Sequence, residues 1–123
     1  MRLDIELAPT AQAAPEARVL IRQRFGDDVP GATLHELLTV VTELVTNAVR
    51  HGQGDAVHVR LSMATDGKIS GEVENYGLGR VEPRPLETSR STGLGLHIVS
   101  AIADRWSVLV DRSTRVRFEL FPL

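Results

Sequence analysis

The chain has 123 residues, with 14 basic and 16 acidic side chains and a formal net charge of −2. This length suffices for one buried core, so we expect residues 1–123 to form a single domain. The balanced charge offers no basic stripe for nucleic acid, and the absence of cysteine excludes disulfides, thiolate chemistry and cysteine-bound zinc. Acidic residues lie too close to the N-terminus for a signal peptide, and no apolar run approaches the ~20 residues of a membrane span. We therefore expect a cytoplasmic protein.

The first half of the chain predicts a strand followed by two helices. Residues 2–7 alternate polar and apolar side chains, as an edge strand does. Thr10 is a candidate N-cap for a helix that runs to about Phe25. A loop is expected over residues 26–31. Beyond it, apolar side chains recur with the 3.6-residue helical period, which predicts a long helix over residues 33–50.

The second half predicts two β-hairpins with a helix between them. Residues 57–63 alternate apolar and polar side chains, and Asp66-Gly67 is a strong turn signal before a return strand. Residues 80–91 are expected to form a polar flexible segment, and residues 94–105 a helix. The chain then closes with a second hairpin, whose strands are residues 106–110 and 115–120. The order β-α-α-β-β-α-β-β predicts an α/β protein, a two-layer α/β sandwich with a mostly antiparallel sheet and helices on one face.

Polar side chains form a stripe on the long predicted helix. Glu43 and Asn47 are four residues apart and therefore neighbours, with Arg50 close by. The stripe is either a solvated helix face or a functional pair, in which Glu43 orients or deprotonates an attacking group and the Asn47 amide oxygen ligates Mg²⁺. One amide oxygen together with phosphate oxygens would be enough ligands for Mg²⁺, because this ion keeps several of its waters. His51 either complements the helix dipole or has a direct role.

Two glycine-containing segments follow. Gly77 and Gly79 lie just after a strand whose alternation places Asn75 on the inner face. They form either a simple turn or a loop that lets a flat base approach the backbone while Asn75 hydrogen-bonds its edge. The second segment opens a helix, where free N–H groups and glycines allow a phosphate to come close. Its candidate binding residues are Thr92, Gly93, Leu94, Gly95 and Leu96. The chain has no Walker A sequence.

The four histidines, at positions 35, 51, 58 and 97, show no shared metal-binding spacing. His35 and His58 are expected on the surface. Trp106 is expected either in the core or as an anchor at the start of a strand.

Together these motifs resemble the GHKL ATPase superfamily, which includes the catalytic domains of histidine kinases, and most of all its small anti-sigma-factor serine kinases. The resemblance is most specific over residues 37–120. Residues 43–51 resemble the family's N box, which implies Glu43 as general base and Asn47 as Mg²⁺ ligand. The glycines at 77 and 79 resemble the G1 box and those at 93 and 95 the G2 box. Residues 80–91 would then be the ATP lid, and the fold would be the Bergerat fold.

The resemblance implies ATP and Mg²⁺ as cofactors and a Ser or Thr of a small anti-anti-sigma-type protein as phosphoryl acceptor. The expected role is transcription regulation by a serine/threonine protein kinase. The alternative is a catalytically degenerate binding module of the same fold that sequesters a sigma factor or another regulator, with weak or no nucleotide binding. Homodimer formation stays open.

Asn75 departs from the family pattern, whose G1 box begins with an Asp that accepts a hydrogen bond from the adenine amino group. The Asn75 amide oxygen can still accept, but the loss of charge costs roughly 1–3 kcal/mol. Its amide nitrogen can donate to guanine O6. We therefore expect weak ATP binding with reduced discrimination against GTP, the alternative being that no nucleotide binds.

Overall fold

The computed structural model describes residues 1–51, 54–77 and 93–122. Its elements in chain order are β1 (Arg2–Leu7), α1 (Ala13–Phe25), α2 (Gly31–His51), β2 (Gly54–Met63), β3 (Ile69–Gly77), α3 (Gly93–Ile102), β4 (Arg105–Val110) and β5 (Ser113–Leu120). The predicted order of elements is confirmed. The proposed lid over residues 80–91 lies outside the described residues.

The strands form one five-stranded sheet in the order β1-β2-β3-β5-β4, and each neighbouring pair is antiparallel. The two predicted hairpins are β2–β3 and β4–β5, and β1 is the expected edge strand. At the tip of the first hairpin Gly67 has a φ of 92° and its N–H donates to the Ala64 carbonyl at 2.9 Å. Within the described residues, no helix is both long and apolar enough to cross a membrane.

The apolar face of the sheet is set by the strand register. Directly opposed residues point to the same face, so Leu3, Leu61, Gly71 and Phe118 form one row across β1, β2, β3 and β5. Against this face the helices α1 and α2 contribute fully buried side chains, including Ile21, Phe25, Leu37 and Val41. The Phe118 ring fills the space that a side chain at Gly71 would need, since a Cβ there would lie 2.2 Å from Phe118 Cζ. The predicted two-layer arrangement is confirmed.

The opposite face of the sheet is charged. Arg60 Nη1 donates to Glu72 Oε2 at 2.6 Å and to Glu74 Oε1 at 3.0 Å, and Arg117 Nε donates to Glu72 Oε1 at 2.8 Å. Ser113 Oγ also donates to Glu74, which is buried. These bonds join β2, β3 and β5, and they line part of an open groove of about 970 Å³ on this side of the sheet.

His58 and Asp4 link β1 to β2 on the charged face. His58, predicted at the surface, is half-buried, whereas His35 is exposed as expected. Arg60 Nη2 lies 3.1 Å from His58 Nδ1, and because a guanidinium can only donate, His58 Nδ1 is the acceptor. The ring proton is then on Nε2, which faces the Asp4 carboxylate. That hydrogen bond lowers the pKa of Asp4. The bond therefore stabilises the fold above the ordinary pKa of Asp4 and loses its effect as pH falls through the lowered value.

The N-terminus of α1 differs from the prediction. The helix begins at Ala13 with Gln12 as N-cap residue and no side-chain capping bond. The Thr10 hydroxyl instead accepts from the Gln12 N–H at 3.2 Å, in a turn that precedes the helix. Because the Thr10 hydroxyl accepts its hydrogen bond in the turn before the helix, it does not cap α1.

The C-terminus of α3 and the position of Trp106 also differ. The helix ends at Ile102 instead of reaching residue 105, because the next residues join the sheet: Asp104 N–H donates to the Glu119 carbonyl at 2.9 Å. Trp106 follows as the second residue of β4 and is 37% exposed. The expectation of a core tryptophan is wrong, while its place at the start of a strand is as predicted.

We predict that Gly71→Ala lowers the free energy of unfolding by about 1–3 kcal/mol, because the new methyl group collides with the Phe118 ring and with Leu61 Cδ2, 2.8 Å away. The matched control is Gly31→Ala at the first residue of α2, where no atom lies within 4 Å of the added Cβ. Urea unfolding of both variants measures the difference. Equal stability of the two would contradict the close packing of Phe118 on Gly71.

Candidate functional site

The C-terminal half of α2 carries the predicted polar stripe. The apolar side of this helix is buried, with Leu44 and Val45 at 2% and 0% exposure. Glu43 and Asn47 are each half-buried, and Arg50 is exposed. The stripe thus lies at the margin of the core, where polar groups are held on a rigid helix and remain accessible to a ligand.

The end of β3 lies beside the end of α2. Gly54, three residues after the last residue of α2, is paired with Gly77, the last residue of β3. Asn75 is paired with Val57, which is fully buried on the helix-covered face, so Asn75 shares that face and is half-buried. The inward position predicted for Asn75 is confirmed. Gly77 belongs to the strand itself, whereas the sequence placed it just beyond.

The helix α3 ends near the opposite end of the sheet. Its C-terminus leads within three residues to Arg105, which pairs with Glu119 at the end of the sheet opposite to Asn75. Ten helical residues span about 15 Å, enough to reach back to the level of Asn75. The helix also packs against α2. Its first turn consists of Gly93, Leu94, Gly95 and Leu96. Gly79 and Thr92 lie outside the described residues.

Thr114 is a further polar residue at this end of the sheet, and the sequence reasoning missed it. It lies directly opposite Asn75 on β5 and is half-buried. Opposed residues in an antiparallel pair have Cβ atoms roughly 4.5–5.5 Å apart, so the two side chains are neighbours. The signal was present, because continuing the alternation of Phe118 and Val116 back by two residues places Thr114 on the same face.

The donor set fits Mg²⁺ bound together with a phosphate-bearing ligand. Within the described residues, no cluster of three or more His, Cys, Asp or Glu side chains could hold a metal by itself. The Asn47 amide oxygen is a hard donor of the kind that Mg²⁺ takes in small number alongside waters and phosphates, and the Glu43 carboxylate lies one helical turn away.

An antiparallel sheet with its helices on one face, and with these residues at one end, is the architecture of a GHKL-type ATPase domain. The sequence model of the histidine kinase-like ATPase domain matches residues 6–120. The chain belongs to this family.

Two solved structures share the fold. The first contains the RsbU and RsbW domains of Rv1364c from Mycobacterium tuberculosis, with a TM-score of 0.77, 20% identity, and coverage of 98% of this chain and 32% of that one. The second is the SiaB–SiaC complex from Pseudomonas aeruginosa, with a TM-score of 0.63, 12% identity, and coverage of 96% of this chain and 88% of that one. No curated protein sequence matches the chain significantly. At these identities the two structures establish the fold.

Proposed function

We propose that the protein binds ATP with Mg²⁺ and phosphorylates a Ser or Thr of a small anti-anti-sigma-type partner. The observation that carries this proposal is the pair Glu43 and Asn47, half-buried one helical turn apart on α2, beside the strand end that holds Asn75. Membership of the histidine kinase-like ATPase family supports a nucleotide-binding role for this end of the domain.

Three elements of the fold, α2, α3 and the end of β3, would contact different parts of the nucleotide. Asn47 would ligate Mg²⁺, which when bound offsets the charge of the phosphates. The first turn of α3 would hold the phosphates on its free backbone N–H groups, assisted by Thr92, and Arg50 and His51 would lie beside them. Asn75, with Gly77 and Gly79, would receive the base. Thr114, which neighbours Asn75, is a second polar group for that end of the ligand.

Glu43 would act on the acceptor hydroxyl. The hydroxyl oxygen attacks the γ-phosphorus of ATP, the bond from that phosphorus to the β,γ-bridging oxygen breaks, and ADP leaves with the electron pair. The hydroxyl proton passes to the Glu43 carboxylate. A positioned base of this kind contributes about 10²–10⁴ in rate.

A protein partner is supported by the structural neighbours. One contains an RsbW domain together with an RsbU domain, and the other is a complex of SiaB with SiaC. By analogy we propose an anti-anti-sigma-type protein as the substrate and a sigma factor as a second candidate partner.

Asn75 favours a second candidate function. Because an amide replaces the carboxylate that the family uses towards adenine, the domain could have lost turnover and serve as a binding module that sequesters its partner. Two measurements separate the candidates: calorimetric titration of ATP with and without Mg²⁺, and phosphoryl transfer to anti-anti-sigma-type proteins followed by mass spectrometry. Transfer to a Ser or Thr supports the kinase, and partner binding without transfer supports the module.

We predict that Asn47→Ala abolishes Mg²⁺-dependent ATP binding while the fold survives, because the side chain sits at the margin of the core. The matched control is Thr39→Ala, a half-buried polar residue of α2 whose hydroxyl bonds its own helix at the His35 carbonyl, 2.8 Å away. Calorimetry with and without Mg²⁺ measures the effect, and circular dichroism checks the fold. An unchanged Mg²⁺-dependent affinity in Asn47→Ala would remove this residue from the site.

Glu43→Ala should reduce phosphoryl transfer by about 10²–10⁴ and leave ATP affinity within a few-fold, because a general base acts on the acceptor hydroxyl. Glu36→Ala, at an exposed position of the same helix, serves as the control with unchanged rate. Single-turnover transfer rates and binding titrations are compared. Parallel loss of affinity and rate would argue that Glu43 binds nucleotide instead of activating the hydroxyl.

Asn75→Asp should tighten ATP binding about tenfold, equivalent to roughly 1.4 kcal/mol, because a carboxylate accepts the adenine amino proton more strongly than an amide. The same substitution should weaken GTP binding, since a carboxylate repels guanine O6. Affinities of both proteins for ATP and GTP are measured in one buffer. Tight, strongly adenine-selective binding by the unaltered protein would refute this account of Asn75, and binding of no nucleotide by either protein would support the binding module.

A further inference from the structure

A buried carboxylate lies directly behind the proposed base-binding residues. Glu74 precedes Asn75 on β3, and because successive side chains of a strand point to opposite faces, it lies on the charged face of the sheet. Glu74 is 8% exposed, although the helices leave this face uncovered. Ser113, the first residue of β5, is 7% exposed and precedes Thr114 in the same way.

Hydrogen bonds to Glu74 connect three strands of the sheet. Arg60 Nη1 on β2 donates to Oε1 at 3.0 Å, and Ser113 Oγ on β5 donates to Oε2. Ser113 lies two residues away from the position directly opposite Glu74, so the second bond is diagonal. The pair formed by Asn75 and Thr114 lies between the two levels that this bond joins. The bond therefore crosses behind that pair, on the other face of the same two strands.

The diagonal bond lies at the end of the β3–β5 ladder. Within the described residues, this pairing ends at Tyr76 and Ser113, and two residues, Asp111 and Arg112, separate β4 from β5. The ends of elements open at a lower free energy than their centres do. A side-chain hydrogen bond between the two strands at this point opposes their separation.

Stability alone is a weak reason for a carboxylate at this position. Taking an ionised carboxylate out of water is costly, and apolar side chains of similar volume often replace a buried ion pair without loss of stability. Hydrogen bonds differ from apolar contacts in their direction, because they weaken steeply when donor and acceptor are misaligned. The bonds to Glu74 therefore favour one relative position of β3 and β5.

We infer that Glu74 and Ser113 are positioning residues for the base-binding end of the site, an inference that rests on the function proposed above. Their hydrogen bond fixes the spacing of β3 and β5 where Asn75 and Thr114 face the ligand. Glu74 and Ser113 lie on the other face of the sheet, so they act through these two residues. Recognition of the base depends on this bond, whereas binding of the phosphates and Mg²⁺ by α2 and α3 does not.

Ser113→Ala removes the donor to Glu74 and leaves the Arg60 bond in place. It should weaken ATP binding by about tenfold, an effect typical of groups that orient a ligand-binding residue from behind. Binding of Mg²⁺ tripolyphosphate, which has no base, should be unchanged. The matched control is Ser70→Ala, at a half-buried serine of β3 on the same face and at the far end of the sheet. Calorimetry measures both ligands in one buffer.

Two results of this titration would overturn the inference. One is an ATP affinity of Ser113→Ala equal to that of the unaltered protein. The other is equal weakening of ATP and tripolyphosphate, which would show general damage to the site.

The double variant Glu74→Met, Ser113→Ala separates positioning from stability. Methionine keeps about the volume of the glutamate, the pair becomes apolar, and Arg60 retains its 2.6 Å bond to Glu72. The urea midpoint of unfolding should stay close to that of the unaltered protein, while ATP affinity falls as in Ser113→Ala. Unchanged stability together with unchanged ATP affinity would overturn the inference. If the double variant fails to fold, Ser113→Ala decides.

Hydrogen exchange without ligand tests the strand contact independently of the proposed function. Amide exchange over residues 74–76 and 113–115 should be faster in Ser113→Ala, and exchange at the far pair of Ile69 and Leu120 should be unchanged. Unchanged exchange over both segments would overturn the inference whatever the protein binds. If the unaltered protein binds no ATP, the proposed function fails and the positioning role fails with it. If it binds ATP and Ser113→Ala binds ATP equally well, the positioning role alone fails.

Discussion

The structure depends on the contrast between the two faces of its sheet. One face presents an apolar row through β1, β2, β3 and β5, with the Phe118 ring seated on Gly71, and α1 and α2 pack against it. The other face carries ion pairs around Arg60 and Glu72. If any strand shifted its pairing by one residue, its apolar side chains would move to the charged face and its polar side chains to the core. Burial of the apolar row therefore fixes the register of the sheet.

The candidate site follows from that register. Asn75 and Thr114 lie on the helix-covered face, two residues after Val73 in β3 and two residues before Val116 in β5, where the apolar positions of these two strands end. The helix α2 is 21 residues long, so its first part can bury leucines and valines while its last turns extend to this polar margin. Glu43 and Asn47 are thereby carried by a helix whose own position is set by core packing, and the site is built on a rigid element.

The helix α3 packs against both α2 and β4, and it ends three residues before Arg105, the first residue of β4. We propose its first turn as a phosphate-binding element, so one helix joins the proposed site to the outermost strand β4. The β1 edge, where Arg24 donates to the Arg2 carbonyl, lies at the opposite side of the sheet.

The sequence by itself determined the order of the elements, the faces of β2 and β3, and the family, because helical and strand periods and glycine motifs are local properties of the chain. It also placed Glu43, Asn47 and Asn75 correctly relative to their own elements. Only the tertiary structure decided that α3 stops at Ile102, that Thr114 stands beside Asn75, and that Trp106 is exposed. The end of α3 and the exposure of Trp106 depend on β4 being the outermost strand beside β5, and the position of Thr114 depends on β5 pairing with β3. The pairing of β3 with β5, which are distant in sequence, leaves no periodic signal in either strand.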